Sequence, residues 1–322
     1  MKHTSTFFLI GVCGFYLISN LSAQDPEFTQ FYANPLYLNP ALAGNRVCPR
    51  VNVSSRIQWP GIYGTYSTVA VSIDRVVDKV KGGLGLVAIN DRAGKGTLKT
   101  TGVGIIYSPI INLTNKISIS TAMQAGYWQK TVDWSKLTFG DQIDSHRGFV
   151  NNTNEIPGRK SAGNFDLSCG SVISSKKLFL GAAIHHILEQ NEALISETSK
   201  LPRKYTVHAG ANISLHGENR SADETVISPN ILFQQQGDFR QLNMGMYIRK
   251  GTIVGGFWFR GQDSFIILLG MEVNALRLGY SYDVTVSKLT NASAGAHEIT
   301  LGYQFACKKP NIKYRLGNCP SW

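Results

Sequence analysis

The chain lacks any long apolar run beyond its first residues. After residue 23, no stretch approaches the 18 consecutive apolar residues that indicate a membrane-spanning helix. A helical membrane protein is therefore excluded. The first 23 residues differ, because Lys2 precedes an apolar run over residues 7–18 and Ala23 offers a small residue for cleavage. This pattern predicts a secretory signal peptide over residues 1–23 and a mature chain that begins near Gln24.

Acidic residues are fewer than basic ones. The chain has 32 Lys and Arg against 21 Asp and Glu, which gives a formal net charge of +11. A basic balance often marks a nucleic-acid-binding protein, but these lysines and arginines are scattered over predicted turns and loops and form no continuous stripe. We therefore predict no nucleic-acid partner. Anionic surface polymers, membrane lipids and acidic proteins fit an exported basic chain better.

Cysteines are also few, and their spacing matches no zinc site. Cys13 lies in the predicted signal peptide, and the four that remain contain no Cys-x₂-Cys pair. No cysteine stands at the cleavage junction, as it would in a lipoprotein. Four cysteines allow three pairings. Because only eleven residues separate Cys307 from Cys319 in a proline-containing tail, we predict a disulfide between these two.

Sequence motifs of catalysis and cofactor binding are missing. No Gly-x-Ser-x-Gly elbow of a hydrolase occurs. The run Gly82-Gly83-Leu84-Gly85 lacks the glycine spacing and the lysine of a phosphate-binding loop, so it predicts a strand start or a close packing contact. The sequence thus predicts a protein without enzymatic activity and without a cofactor.

Two groups of potential metal ligands have simpler explanations. His185 and His186 are adjacent in a predicted strand, where neighbouring side chains point to opposite faces, so we do not expect them to bind one metal ion. Asp141, Asp144 and His146 occupy a long predicted loop, where a weak cation site is the alternative to an ordinary solvated loop. We predict the solvated loop and no metal site.

What the chain does have, from about residue 47 onward, is period-two alternation. In residues 276–284, the even positions are Leu, Leu, Tyr, Tyr and Val, whereas the odd ones are Arg, Gly, Ser and Asp. Each such segment has one apolar face and one polar or small face. Fourteen strands are predicted, at 47–59, 63–75, 82–91, 97–109, 116–130, 162–173, 178–188, 203–215, 225–235, 239–249, 252–260, 264–272, 275–285 and 296–306.

A soluble β-sandwich and a membrane β-barrel can both produce this alternation. The barrel is favoured because most segments have the length of a tilted strand that crosses a bilayer. Polar residues opposite the apolar face suit a lumen. The even strand number would leave both ends in the periplasm, with the long connection over 133–161 outside. We predict an all-β, outer-membrane barrel of about 14 antiparallel strands.

The segment before the first strand, residues 24–46, does not fit the hydrogen-bonding pattern of a β-sheet. Prolines follow Asn34 and Asn39, and a proline lacks the backbone N–H that a central strand needs. Its many apolar side chains are unlike a disordered tail. We predict that it folds into the periplasmic mouth or lumen, with the Asn34 and Asn39 side chains bonding nearby backbone. It is either a structural plug or a surface that contacts a partner.

These assignments divide the chain into four parts. They are a signal peptide (1–23), an N-terminal Asn-Pro segment (24–46), a β-barrel (47–306) and a periplasmic tail (307–322).

Several short motifs in order along the chain carry a family resemblance. The opening segment contributes Gln24, Asp25, Pro26, Phe28, Thr29, Gln30, Asn34, Pro35, Asn39, Pro40 and Gly44, and later motifs contribute Arg56, Trp59, Tyr280, Tyr282, Asp283, His297 and Glu298. With these residues the chain resembles the type IX secretion system membrane proteins of the PorP/SprF family, found in Bacteroidota. Departures are small: Phe31 stands where Tyr is common, and Trp322 where Phe is usual.

The resemblance implies a non-enzymatic outer-membrane barrel that serves type IX secretion or gliding motility. Implied partners are a secreted adhesin or the C-terminal domain of such a cargo, periplasmic or outer-membrane lipoproteins of the secretion system, and outer-membrane lipids. The alternative is a porin or channel for small solutes. A porin needs an open lumen, whereas the secretion role is expected to have a filled or partner-occupied one.

Overall fold

The computed structural model describes residues 24–62, 64–94, 96–144, 146–194, 198–215, 225–261, 264–286 and 294–307. The predicted signal peptide and residues 308–322 lie outside this part. Fourteen long strands account for most of it: β1 (Arg50–Gln58), β2 (Tyr66–Val77), β3 (Gly82–Ala93), β4 (Leu98–Asn112), β5 (Ser118–Val132), β6 (Ser161–Ser174), β7 (Leu178–His185), β8 (Lys204–Ala211, continued by Ile213–Ser214), β9 (Thr225–Gln236), β10 (Phe239–Lys250), β11 (Ile253–Arg260), β12 (Ser264–Val273), β13 (Leu276–Thr285) and β14 (Ala296–Gln304).

Each strand pairs antiparallel with its neighbours in the chain, and the sheet closes on itself. The closing pair is β1 with β14, in a register that sets Arg50 opposite Gln304. Closure leaves none of the described long strands with an unpaired edge, which is what a lipid environment requires. The predicted fourteen-stranded barrel is confirmed. Among the described residues, no helix is long and apolar enough to cross a membrane.

The alternation in sequence becomes a polar interior and an apolar exterior. In β2, Thr68, Ser72 and Asp74 are buried inside the barrel, whereas Val71 and Ile73 between them are each 41% exposed on the outside. The same arrangement holds on the other strands, since large apolar side chains are exposed all around the outer wall. Such a wall is stable only where lipid covers it.

The two ends of the barrel differ in their connections. One end, here named the loop end, has the connections after the odd-numbered strands, including the long segment over residues 133–160. The other end, named the turn end, has the connections after the even-numbered strands and both ends of the barrel sequence. Short turns of outer-membrane barrels face the periplasm, and the longest connection lies at the loop end, so we expect the loop end to face the cell exterior.

The disulfide differs from the prediction. Cys307 is bonded to Cys48, with the two Cα atoms 5.6 Å apart, so the expected Cys307–Cys319 bond is wrong. Cys319 lies outside the described residues. The physical reason is closure, because Cys48 precedes β1 and Cys307 follows β14, and these strands lie side by side. The bond therefore joins the residues just before the first strand to those just after the last strand, at the turn end of the barrel.

Candidate functional site in the barrel lumen

The segment over residues 24–45 lies inside the barrel and forms no strand. It contains one helical turn, α1 (Pro35–Leu38), and one 3₁₀ turn over Pro40–Leu42. A proline is favoured at the start of a helical turn because the first N–H groups of a helix have no internal partner. The two Asn-Pro pairs therefore mark the starts of two turns.

The two asparagines of these pairs behave differently. The Asn39 side chain accepts a hydrogen bond from the backbone N–H of Ala41 at 2.9 Å, as predicted. Asn34 makes no such bond to its own turn, and its buried Nδ2 meets no hydrogen-bond partner among the described residues. The expectation that both side chains bond nearby backbone is thus correct for Asn39 and wrong for Asn34.

Apolar side chains of the segment fill much of the lumen. Phe31 packs edge-on against Trp258 of β11, with ring centroids 4.9 Å apart, and Tyr32 packs in the same way on Phe179 of β7 at 5.7 Å. Leu36 is fully buried. These contacts stabilise the segment through the burial of apolar surface. That the segment works as a plug stays a prediction.

The segment runs along the whole lumen. At the turn end, the backbone N–H of Gly44 donates to Asp74 Oδ2 at 2.8 Å. At the loop end, the backbone N–H of Asp25 donates to Gln236, the last residue of β9, at 2.9 Å. The chain therefore enters strand β1 from the turn end, but its residues 24–26 lie at the opposite end of the barrel. The sequence had placed the start of the segment on the periplasmic side.

The turn-end half of the segment is held by close packing. A Cβ atom added to Gly83 of β3 would lie 2.1 Å from the carbonyl oxygen of Ala43, so only glycine allows this approach. Gly44 has a φ of +71°, which also favours glycine. The run Gly82-Gly83-Leu84-Gly85 is therefore a strand start and a packing contact, as predicted.

Glu298 of β14 is the main polar attachment point near the loop end. Its Oε2 accepts hydrogen bonds from the Thr29 backbone N–H at 2.6 Å and the Thr29 hydroxyl at 2.7 Å. Its Oε1 accepts from the Gln30 backbone N–H at 3.2 Å, and the Gln30 amide donates to the Glu298 backbone oxygen at 3.1 Å. Thr300 donates to Gln30 Oε1 at 2.7 Å. One carboxylate thus fixes two consecutive residues of the segment.

Two arginines balance the charges of Glu298 and of its neighbour Asp283. Arg56 of β1 lies 2.9 Å from Asp283 Oδ2 and 3.6 Å from Glu298 Oε2, and it donates to the Thr29 hydroxyl at 3.1 Å. Arg260 of β11 contacts the same Asp283 oxygen at 3.2 Å. All four charged side chains are buried, and a buried charge needs such partners. The resemblance motifs at both ends of the chain therefore meet in one network.

A second ionic cluster holds Asp25 at the loop end. Asp25 Oδ2 lies 2.9 Å from His186 Nε2 and 3.9 Å from Lys204 Nζ, while His186 Nδ1 lies 3.3 Å from Asp166. Burial alone would raise the pKa of Asp25, but His186 and Lys204 bring it well below its ordinary value. Burial alone would lower the pKa of His186, but Asp25 and Asp166 raise it to about 10. Asp25 and His186 therefore form a charged pair at neutral pH.

His185 and His186 do not lie in one strand, although the sequence had predicted that they would. Strand β7 ends at His185, and His186 has a φ of +57°. The backbone therefore leaves strand geometry between them, and both rings are buried, 6.5 Å apart. They do not point to opposite faces of a strand. His186 instead forms the ionic cluster.

The acidic loop residues serve their own loop. Asp141 accepts hydrogen bonds from the Thr153 hydroxyl and the Asn154 backbone N–H, and Asp144 accepts from the backbone N–H groups of His146 and Arg147. The described residues contain no group of three or more side chains that could hold a metal ion.

The remaining predicted residues lie inside the segment or on the outer wall. Pro26 accepts a hydrogen bond from the Tyr37 hydroxyl, Phe28 packs on Tyr37, and Gln24 is exposed. Four others are outside the lumen near the loop end: Trp59, Tyr280, Tyr282 and His297. Tyr280 bonds His297 at 2.8 Å, and Trp59 packs edge-on against Tyr66. They resemble the aromatic girdle of a barrel rather than a lumenal site.

Sequence reasoning missed several residues that hold the segment. Asp74, Asp166 and Arg260 were identifiable as charged residues on the inward face of alternating strands, because an isolated charge on that face needs a partner. His186 and Lys204 gave no such signal, since both lie at the border between a strand and a connection.

Comparison with known proteins identifies a family that matches this chain. The family model described as type IX secretion system membrane protein PorP/SprF matches residues 20–303. Among curated proteins, no sequence matches the chain.

Solved structures with a similar fold are outer-membrane barrels. Omp33 of Acinetobacter baumannii has 9% identity and a TM-score of 0.43, covering 81% of this chain and 100% of its own. A mutant of TodX, a monoaromatic hydrocarbon channel, has 10% identity and a TM-score of 0.45, covering 84% of this chain and 94% of its own. The translocator domain of autotransporter NalP from Neisseria meningitidis has 14% identity and a TM-score of 0.41, with 84% and 92% covered. Similarity at this level carries no argument about function.

Proposed function

The chain belongs to the PorP/SprF family of type IX secretion system membrane proteins, and from that premise we propose that it binds and anchors a secreted adhesin, or the C-terminal domain of such a cargo, at the cell surface. Family and fold are those of a secretion-system membrane protein of the outer membrane rather than an enzyme. Links to periplasmic or outer-membrane lipoproteins of the secretion system belong to the same proposal.

The observation that supports a binding role is the filled lumen. The segment over residues 24–45 runs from one end of the barrel to the other, and Glu298, Asp74 and His186 each bond it from the wall. A solute channel needs an open path, which the segment occupies. A barrel whose lumen is occupied by its own segment would act through the surfaces at its two ends.

The proposal is tested by affinity purification of the tagged full chain from its native envelope. We expect a secreted C-terminal domain or a type IX secretion component to co-purify in stoichiometric amounts. An unrelated outer-membrane barrel, tagged and extracted in parallel, controls for detergent-dependent association. Absence of both kinds of partner from the specific fraction would contradict the proposal.

The solute-channel alternative has its own measurement. In planar bilayers, we expect the wild-type chain to show no large, steady open state, because the segment stays bonded to the wall. A stable conductance of porin size in the wild-type protein would favour the channel. Brief openings that appear only in variants with a weakened segment attachment would agree with a filled barrel.

A further inference from the structure

A cleft of about 900 Å³ lies at the loop end, on the outer side of the barrel wall. It is lined by residues of β2 to β5 and by the connections that follow β3 and β5. Its basic residues are Arg92, Lys99, Lys136 and Lys160, and Asp133 is the acidic residue in its lining. Trp134 adds an aromatic ring. The segment described above does not contribute to this cleft.

The walls of the cleft are held by backbone hydrogen bonds. The Asp133 backbone N–H donates to the Thr97 oxygen at 2.8 Å, and the Val132 N–H donates to the Lys160 oxygen at 3.0 Å. The Trp134 indole N–H donates to the Arg159 oxygen at 3.4 Å. The two connections are thus joined to each other, so that the backbone from which the basic side chains project is held in place.

The charge of the cleft is strongly positive. The Asp133 carboxylate is engaged by Ser135 at 2.6 Å and by Lys136 at 3.6 Å, and Lys99 and Lys160 form no ion pair with another described residue. Like charges that line one concave surface repel each other and attract anions. A ligand with more than one negative group would complete this site.

The cleft lies directly above the lipid-facing band. Along β2, Ser67 lines the cleft and Val69, the next outward residue, is 38% exposed. Along β4, Lys99 lines the cleft and Val103, four residues further, is 54% exposed. Four residues of a strand span roughly 13 Å. The positive charges therefore stand at the depth where the headgroups of the outer leaflet meet its acyl chains.

We propose that this cleft binds the phosphate-bearing sugar headgroup of an outer-leaflet glycolipid whose acyl chains lie along the apolar wall below. Basic pockets at a membrane surface bind anionic headgroups, and Trp134 at this depth matches the aromatic residues of a membrane interface. An amphipathic ligand satisfies both the charge above and the apolar surface below. An acidic peptide would satisfy only the charge. The proposal does not rest on the secretion role.

The test measures binding of defined lipids to the purified full chain in detergent by native mass spectrometry. The probes are diphosphorylated lipid A, the same lipid without phosphates, inorganic phosphate and a poly-glutamate peptide. We expect one diphosphorylated lipid per chain and at least tenfold weaker binding of the dephosphorylated lipid. Removal of two lysines by Lys99→Gln and Lys160→Gln should weaken binding about thirtyfold, since each cation near an anionic lipid contributes about fivefold.

The matched control is the double variant Lys176→Gln and Lys177→Gln, which removes the same charge at the turn end. It should bind the lipid as the wild type does. Rescue by Lys99→Arg and Lys160→Arg distinguishes lost charge from lost folding. Equal losses in both Gln variants, equal binding of the dephosphorylated lipid, or tighter binding of poly-glutamate or inorganic phosphate would each overturn the proposal.

Discussion

Thr29 and Glu298 are 269 residues apart in the sequence, and both the backbone N–H and the hydroxyl of Thr29 donate to the same oxygen of Glu298, at 2.6 and 2.7 Å. Glu298 is completely buried. Arg56 contacts both residues, so the attachment of the N-terminal segment and the neutralisation of the carboxylate are one structure. Motif residues from the N-terminal segment, the first strand and the last strand are therefore parts of one hydrogen-bonded network.

Glu298→Gln should loosen the N-terminal segment. The substitution leaves Arg56 with one partner fewer and removes the charge that Thr29 and Gln30 bond, so we expect the free energy of unfolding to fall by about 3 kcal/mol. Added protease should then cleave within residues 24–45. The control is Glu272→Gln, which removes a partly exposed ion pair with Arg277 at the turn end. This substitution should lower the free energy of unfolding by less than about 1 kcal/mol. Equal protease resistance of wild type and Glu298→Gln would contradict the role of this carboxylate.

A cysteine at position 27 should be labelled from outside the cell. Glu27 is partly exposed and lies between Asp25 and Thr29, which both bond the wall near the loop end. A membrane-impermeant maleimide should therefore modify Glu27→Cys in intact cells, in a background that carries Cys169→Ala and Cys319→Ser. Lys176→Cys, in a turn-end connection, should react only after the envelope is made permeable. If Glu27→Cys also required permeabilised cells, the segment would have the opposite direction.

The Asp25 cluster should stabilise the segment within a limited pH window. The pKa of Asp25 is lowered from 3.8, so its contribution is present above pH 3.8 and is lost as the pH falls further. The pKa of His186 is raised from 6.5 to about 10, so its contribution is complete below pH 6.5 and is lost as the pH rises towards 10. The Tm difference between wild type and Asp25→Asn should therefore be largest between about pH 4 and 6.5. A Tm difference that does not change with pH would contradict this role of the cluster.

Gly83→Ala should displace the turn-end half of the segment. Its new Cβ would lie 2.1 Å from the Ala43 oxygen and 2.6 Å from the Gly44 nitrogen, and overpacking of this kind costs about 1–3 kcal/mol. Gly255→Ala is the matched control, because a Cβ there has no neighbour within 4 Å among the described residues. Denaturant unfolding measures both. A Gly83→Ala variant as stable as Gly255→Ala would mean that the segment does not pack against β3.

The two asparagines should respond differently to alanine. Asn39 donates to the oxygens of Ser171 and Ala182 and contacts His208 Nε2 at 3.1 Å, so Asn39→Ala should cost roughly 2–3 kcal/mol by leaving buried groups unpaired. Asn34→Ala should cost below about 1 kcal/mol, because it removes a buried donor without a partner among the described residues. Thermal unfolding compares them, and the reverse order would contradict these contacts.

The strands were predictable because their signal is local. Alternation along a strand reports which face meets lipid, and each of the fourteen predicted segments overlaps an observed strand. The even count is typical of single-chain barrels, but connection length does not strictly separate the two ends, because the loop-end connection between β9 and β10 is only Gly237 and Asp238. The glycines at the start of β3 and the turn-forming role of Asn39 were also predictable from a few neighbouring residues.

The lumenal site was only partly predictable. Its motif residues Thr29, Gln30, Arg56, Asp283 and Glu298 could be named, yet no local pattern says that they touch. The disulfide was assigned to the nearest cysteine in sequence, whereas barrel closure brings Cys48 next to Cys307. Once a sheet closes into a barrel, the distance between two residues along the chain no longer indicates whether they are in contact.

The sequence by itself thus determined the period-two pattern, the number of strands and the exclusion of the proline-containing segment from the sheet, because these depend on backbone chemistry and on residues that are neighbours in the chain. Only the tertiary structure decided that this segment spans the lumen with Asp25 at the loop end, and which wall residues hold it. The reason is that hydrogen bonds and ion pairs inside a closed barrel depend on which strands face each other across the lumen, and that arrangement exists only after the last strand has paired with the first.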